Sequence, residues 1–306
     1  MCWKSLVEKS VDLPATMPSF PRNLKWVGIK GLKCYVYFKP IFETDSNPKA
    51  LLCNIDIYTS LSRDRRGVHL SRLSQELINL SEKKIWDIAV FCKELADNVR
   101  KSQKQQCSKI NLKTDYVIKN TTSLTSKNTL VPLQIGMRVI TSGDHTYYQS
   151  ILSSKTIVVC PCGIEMFKTV LKHNANRNSS NSHFPSHSQR ATIKLSVTSS
   201  IPVAHKELFE IIASVTPILG TTLKRPDEFD LLNNVFNNPM FCEDLVRVTL
   251  EKADKYFKNK DISRIDVTVL SDESIHPYSV FTQGDIRRGK EHLGNKCEDI
   301  VEEDAP

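Results

Sequence analysis

Glycine is scarce in this sequence: 10 in 306 residues, fewer than its 14 prolines. Neither G-x-x-x-x-G-K-[ST] nor G-x-G-x-x-G occurs, so a glycine-rich phosphate loop is not the main device here. No run of 18 apolar residues is present, which leaves no candidate membrane-spanning helix. The opening "MCWKSLVEKSVDLPATMPSFPRNLKW" lacks the apolar core of a secretory leader, and a cytoplasmic location with no membrane partner is expected. Nine cysteines is an odd number, which argues against a disulfide framework and for buried structural thiols. Clustered Lys/Arg tracts interleaved with aromatics are also missing, so a nucleic-acid groove has little direct support.

What is present has ordinary proportions, 40% hydrophobic and 25% charged, as in a globular chain long enough for one large domain or two. The charge is not balanced: 42 Lys and Arg against 34 Asp and Glu leave +8. Such an excess suits a nucleic acid, a nucleotide or a phosphorylated metabolite, or is simply a solvated basic surface.

Periodicity divides the chain into strands and helices. Leu24 to Phe38 reads as a strand, and Leu51, Cys53, Ile55 and Ile57 alternate with polar neighbours in a second. A short helix over Leu70 to Leu80 follows, then a longer one with Ser81 as N-cap and Ile85, Ile88, Ala89, Cys92, Leu95, Ala96 and Val99 on one face. The polar stretch after it holds one edge strand near Asp115 to Lys119, before Leu133, Ile135, Met137 and Val139 restore period two. Further on, strands are expected at Tyr147 to Val159 and Thr192 to Val197, and a helix over His205 to Val215. Another helix opens at Asn238-Pro239, ahead of the strand "RIDVTVL". Strand-strand-helix-helix-strand-strand, twice over, argues an α+β fold with antiparallel sheets. The domain reading is an arm at 1–22, modules at 23–145 and 146–288, and an acidic tail at 289–306. "HNANRNSSNSH", between Cys162 and His183, reads as a flexible insert.

Four separated segments carry complementary chemistry: "CPC" at 160–162, "PSHSQR" at 185–190, "LKRPDE" at 223–228 and "DESIHPY" at 272–278. Each is placed at a strand end or turn, and together they offer thiolates, imidazoles and carboxylates. Singly none is distinctive, and C-x-C is too tight for the usual zinc knuckle.

Their joint order, with "NP-x-F-x-EDLVR" from Asn238 and "RRGVHLSR" at 65–72, resembles the type IB GTP cyclohydrolases of bacteria and their archaeal counterpart of the methanopterin pathway, MptA. The resemblance covers about Val27 to Tyr278. It implies two tandem tunnelling-fold (T-fold) modules, with antiparallel sheets and paired helices that assemble into barrels as a homodimer or homotetramer.

Carried over by position, Cys160, His187, Glu228 and His276 are similar to the family's metal ligands. Glu273 is similar to its proton-transfer carboxylate, so Cys160, His276 and Glu273 form the implied catalytic set. Glu243 matches the carboxylate that grips the guanine edge, and Arg65, Arg66, Arg72, Lys224 and Arg225 are candidates for the triphosphate. The implied reaction is hydrolytic opening of the imidazole ring of GTP with loss of formate. The archaeal branch gives 7,8-dihydroneopterin 2′,3′-cyclic phosphate and the type IB branch 7,8-dihydroneopterin triphosphate. One divalent metal per subunit is implied, Fe(II) favoured; mixed S/N/O ligation also suits Mn(II) or Zn(II).

Departures are Gly163-Ile164 after "CPC", Ser188 in place of Asn, and Tyr278 where a second His is common. The long insert tilts the reading to the archaeal branch. Cys162 stays open as a second thiol near the metal or a structural one. A T-fold protein that binds purine or pterin without turnover is the alternative from a different class.

Overall fold

The structure, a computed structural model, describes residues 12–43, 47–83, 87–143, 145–173 and 184–288. Eight strands form one sheet: β1 (Leu24–Phe38), β2 (Lys49–Leu61), β3 (Cys107–Thr121), β4 (Asn128–Ser142), β5 (His145–Val159), β6 (Ser188–Ser199), β7 (Ile262–Asp272) and β8 (Ser279–Arg287). They lie side by side in chain order, every pair antiparallel. Among the described residues six α-helices interrupt them: α1 (Leu70–Ser81), α2 (Ile88–Gln103), α3 (Pro161–His173), α4 (His205–Val215), α5 (Arg225–Asn237) and α6 (Cys242–Tyr256). Among the described residues no helix is long and apolar enough to cross a membrane.

Alternation explains the layering. Ile55 and Ile57 of β2, Ile110 and Leu112 of β3, Ile135 and Met137 of β4, Leu195 of β6 and Val267 of β7 pack in one core with Phe91, Leu95, Leu208 and Leu245 of the helices. Each such side chain contributes roughly 1.5–3 kcal/mol by leaving water. The intervening residues, among them Asn54, Asp56, Asn111, Gln134, Ser196 and Asp266, are those that period two assigns to the opposite, polar face. The two halves are continuous, because β4 and β5 pair from Leu133↔Ser154 to Ser142↔His145. Their hairpin turns through Gly143 at φ +58, and β5 begins at His145.

Several expectations change. The edge strand near Asp115 is instead the 15-residue β3, interior to the sheet between β2 and β4. Its apolar face was diluted by Lys109, Asn111, Lys113 and Asp115 on the polar one. Ser81 ends α1, its hydroxyl turned back to the Ile78 carbonyl at 2.8 Å. The N-cap of α2 is Asp87, whose Oδ1 accepts from the Ala89 and Val90 amides at 2.9 and 3.2 Å; Ile85 lies outside the described residues.

In the second half, Asn238 closes α5, and α6 begins four residues later, at Cys242. "CPC" and "LKRPDE" lie at the starts of α3 and α5 rather than on plain turns. α5 is weakly amphipathic, and large apolar residues are exposed on both helices: Phe229 and Leu232 of α5 and Met166 and Phe167 of α3. The described residues of the second half therefore carry four helices where two were expected. Of the N-terminal arm, residues 12–16 dock on the loop after β2, where the Arg66 amide donates to Pro14 O and Thr16 O. The acidic tail and residues 174–183 of the insert lie outside the described residues.

Candidate active site

Antiparallel order gathers the C-terminal ends of β5 and β7 with the N-terminal ends of β6 and β8 at one edge of the molecule. Val159 pairs with Ser188, so the next residues outward, Cys160 and His187, face each other across the strands. Their backbones are joined by the Cys160 N–H donating to His187 O at 3.1 Å. The Ser186 hydroxyl donates to Cys160 O at 2.6 Å. Gly163 lets α3 approach that hydroxyl, since a Cβ there would lie 2.3 Å from Ser186 Oγ. Val159, Ile164 and Val235 form a small separate core that fastens β5, α3 and α5 together around Cys160. Cys162, exposed on the first turn of α3, has its thiol pKa raised by desolvation and then by the charge and hydrogen bond of Cys160.

From His187 a line of contacts runs across the sheet. Its Nδ1 lies 2.9 Å from Gln189 Oε1. Gln189 Nε2 donates to Glu273 Oε1 at 3.3 Å, and the Ser271 hydroxyl donates to the same oxygen at 3.0 Å. Cys242, first residue of α6, adjoins this line. Burial pushes its thiol up, a hydrogen bond with Ser271 opposes that, and the charges of Glu273 and Glu243 push it further up. The guanine-binding candidate Glu243 and the proton-transfer candidate Glu273 thus share one neighbourhood. The lead-in to α6 is pinned there by the Met240 N–H donating to Val159 O at 3.2 Å.

α5 brings Lys224, Arg225 and Glu228 to the same end. Asp227, 2% exposed, anchors it: its carboxylate accepts from the Leu124 and Thr125 amides, the Thr125 hydroxyl and the Lys224 amide. Burial alone would raise its pKa, but those donors outweigh it and hold the carboxyl well below the usual range. Glu228 is exposed. His276, exposed in the β7–β8 turn, stacks on Tyr278 with ring centroids 4.9 Å apart and planes at 6°.

Among the described residues no three His, Cys, Asp or Glu side chains stand close enough to hold a metal ion. Cys160 and His187 are neighbours, whereas Glu228 and His276 sit at the same end without reaching them. In kind the donors fit a divalent transition metal: a thiolate, two imidazoles and a carboxylate. His187 also has one ring nitrogen held by an amide oxygen, as metal-bound imidazoles do.

Arg65, Arg66 and Arg72 are not brought to this end. They follow the C-terminus of β2, whereas Cys160 follows that of β5, at the opposite end of the sheet. Within one chain the length of a strand, about 40 Å for the 13 residues of β2, lies between them. Gln189, Ser271, Ser186 and Asp227 carry the local architecture and were not singled out from sequence. Ser186, Gln189 and Asp227 stood inside quoted motifs, so motif position was the available signal.

A family model described as type I GTP cyclohydrolase folE2 matches residues 11–282. The GTP cyclohydrolase FolE2 of Thermosipho melanesiensis is 29% identical over 259 residues, covering 84% of this chain and 91% of that protein. The GTP cyclohydrolase MptA of Methanococcoides burtonii is 26% identical over 306 residues, covering 90% and 95%. Among solved structures, the uricase of Arthrobacter globiformis superposes with a TM-score of 0.53 at 6% identity, covering 87% and 94%. A hyper-thermostable AgUricase mutant gives 0.55 at 4% identity, covering 90% and 95%. At such identities the likeness is one of fold alone.

Proposed function

The chain belongs to the type I GTP cyclohydrolase FolE2 family, and we propose that it opens the imidazole ring of GTP at carbon 8 and releases formate. One observation carries the reading: the continuous run from Cys160 through His187 and Gln189 to Glu273, with Glu243 beside it. Cys160, His187, Glu228 and His276 would hold the metal, Fe(II) in preference to Mn(II) or Zn(II). When bound, such an ion lowers the pKa of water towards neutrality and supplies Lewis acidity. Drawing in Glu228 and His276, both exposed, completes the ligand set. The Glu243 carboxylate accepts from the N–H groups on the guanine's Watson–Crick edge and fixes the base. Both hydrogen bonds to Glu273 named above end on Oε1, which orients Oε2 to take a proton and return it.

Lys224 and Arg225 stand on the same end for the triphosphate. Arg65, Arg66 and Arg72 serve it only if a second chain presents its opposite end, which favours a homodimer or homotetramer with shared sites. For the product, the MptA-type cyclic phosphate is the first reading. It is supported by the more extensive alignments with MptA proteins, such as 90% of this chain against 84% for FolE2. Dihydroneopterin triphosphate is the second, favoured by the higher identity to FolE2, 29% against 26%.

Cys160→Ala and His276→Ala should each abolish formate production in metal-defined buffer while unfolding as the wild type does. Near wild-type rates in both variants would overturn the site. Intact GTP binding by a wild type that makes no formate would favour the non-catalytic T-fold.

A further inference from the structure

We propose that Gln189 is a two-ended positioning residue: its amide oxygen fixes the ring form of His187 and its amide nitrogen holds Glu273, so one side chain sets both metal ligand and proton carrier. The inference rests on the cyclohydrolase reading for the roles of its two neighbours, but its geometry stands on its own.

The assignment follows from donor and acceptor capacity. Gln189 is 8% exposed on β6, between His187, two residues earlier, and Glu273, the residue that follows β7. Continuing the β6–β7 register from Ala191↔Ser271 by two residues sets Gln189 opposite Glu273. An ionised carboxylate accepts and cannot donate, so the nitrogen of the Gln189 amide faces Glu273 Oε1, at 3.3 Å. Its oxygen therefore faces His187 Nδ1, at 2.9 Å. An amide oxygen accepts only, which requires the proton of the neutral imidazole on Nδ1. The lone pair is then on Nε2, the nitrogen left to bind a metal. The Ser271 hydroxyl, fully buried, completes the hold on Glu273 Oε1.

Gln189→Leu removes both ends, and Gln189→Glu keeps an acceptor for Nδ1 while replacing the donor to Glu273 by a negative charge. Outer-shell partners of metal-binding histidines are typically worth 10–100-fold in affinity or activity. By chelator competition with Zn²⁺, Gln189→Leu should bind about 10–100-fold more weakly, and Gln189→Glu should bind at least as tightly as the wild type. For formate release, both should lose kcat while KM for GTP changes little, because neither end of the amide is assigned to substrate. In metal-free wild type labelled with ¹⁵N-histidine, the His187 resonance, identified by its loss in His187→Gln, should report Nδ1–H. Gln189→Leu should shift it towards Nε2–H.

A wild-type His187 protonated on Nε2 would overturn the proposal, as would Zn²⁺ affinity in Gln189→Leu equal to wild type. If Gln189→Glu binds Zn²⁺ as weakly as Gln189→Leu, the amide only packs and the proposal also fails. A wild type with the Nδ1–H form and the expected Zn²⁺ ranking, but no formate with any metal, would sink the cyclohydrolase reading while leaving the Gln189 assignment in place.

Discussion

His205 is 2% exposed, and its Nε2 lies 2.8 Å from the Gly136 carbonyl, an acceptor to which Nε2–H donates. Burial lowers its pKa, more than the Gly136 bond and the nearby Asp87 charge raise it. A depressed folded value means the unfolded chain binds the proton more readily. The stabilisation is therefore complete above the unfolded pKa, about 6.5, and is lost as pH falls below it. This one group contributes a slope of at most about 1.4 kcal/mol per pH unit. Urea unfolding of wild type and His205→Gln between pH 8 and 5 should show a difference that narrows on acidification; a constant or widening difference would contradict it. At this scale the motifs put Cys160, His187 and Glu273 in the reader's hands. Their connection was not legible, because Gln189 and Glu273 are 84 positions apart and meet only through the β6–β7 register.

α3 presents an instructive conflict between propensity and packing. In an isolated helix, Gly163→Ala should stabilise by about 1 kcal/mol. Here the new Cβ would meet Ser186 Oγ at 2.3 Å and its Cα at 3.2 Å, and Ser186 holds the Cys160 carbonyl. Gly163→Ala should therefore lower Tm and weaken Zn²⁺ binding in a chelator titration; a raised Tm with unchanged affinity would mean that the segment yields freely. Asp87→Ala, by contrast, removes the cap of α2 far from the site. It should cost about 0.5–2 kcal/mol in urea unfolding and leave formate release per folded molecule unchanged.

Elements whose apolar face repeats cleanly were legible: His205 to Val215 is a helix with the bounds expected, and β1 spans the residues read as a strand. β3 was shortened because polar residues of its open face dominate the local composition, and α5 was missed because it buries only Asp227 and Val235. Asp227 fastens that helix through donors about a hundred positions away, at 124 and 125, a tie that no local pattern displays.

Across the whole molecule, the sheet separates the two groups of residues proposed to handle GTP. The Cys160 end and the Arg65–Arg72 end lie at opposite termini of antiparallel strands, and β1 and β8 remain its two edges in a single chain. A site that needs both groups is built from two copies. In that case, inactive Cys160→Ala and inactive Arg72→Ala proteins, unfolded and refolded together, should recover about a quarter of wild-type turnover. Random pairing makes half of the dimers mixed, each with one intact site of two. No recovery from dimers that do mix would place both groups in one chain's site or remove Arg72 from it. The +8 charge pointed correctly towards anionic partners in general, but no sequence pattern could say which copy supplies each cation.

The most direct measurement is anaerobic turnover. Metal-stripped protein is given GTP with Fe²⁺, Mn²⁺ or Zn²⁺ in turn, and formate and pterin products are identified by mass. Formate that appears only with metal, alongside a dihydroneopterin phosphate whose mass distinguishes cyclic phosphate from triphosphate, is the expected result. GTP that binds but yields no formate with any of the three metals would contradict the assignment of this chain as a cyclohydrolase.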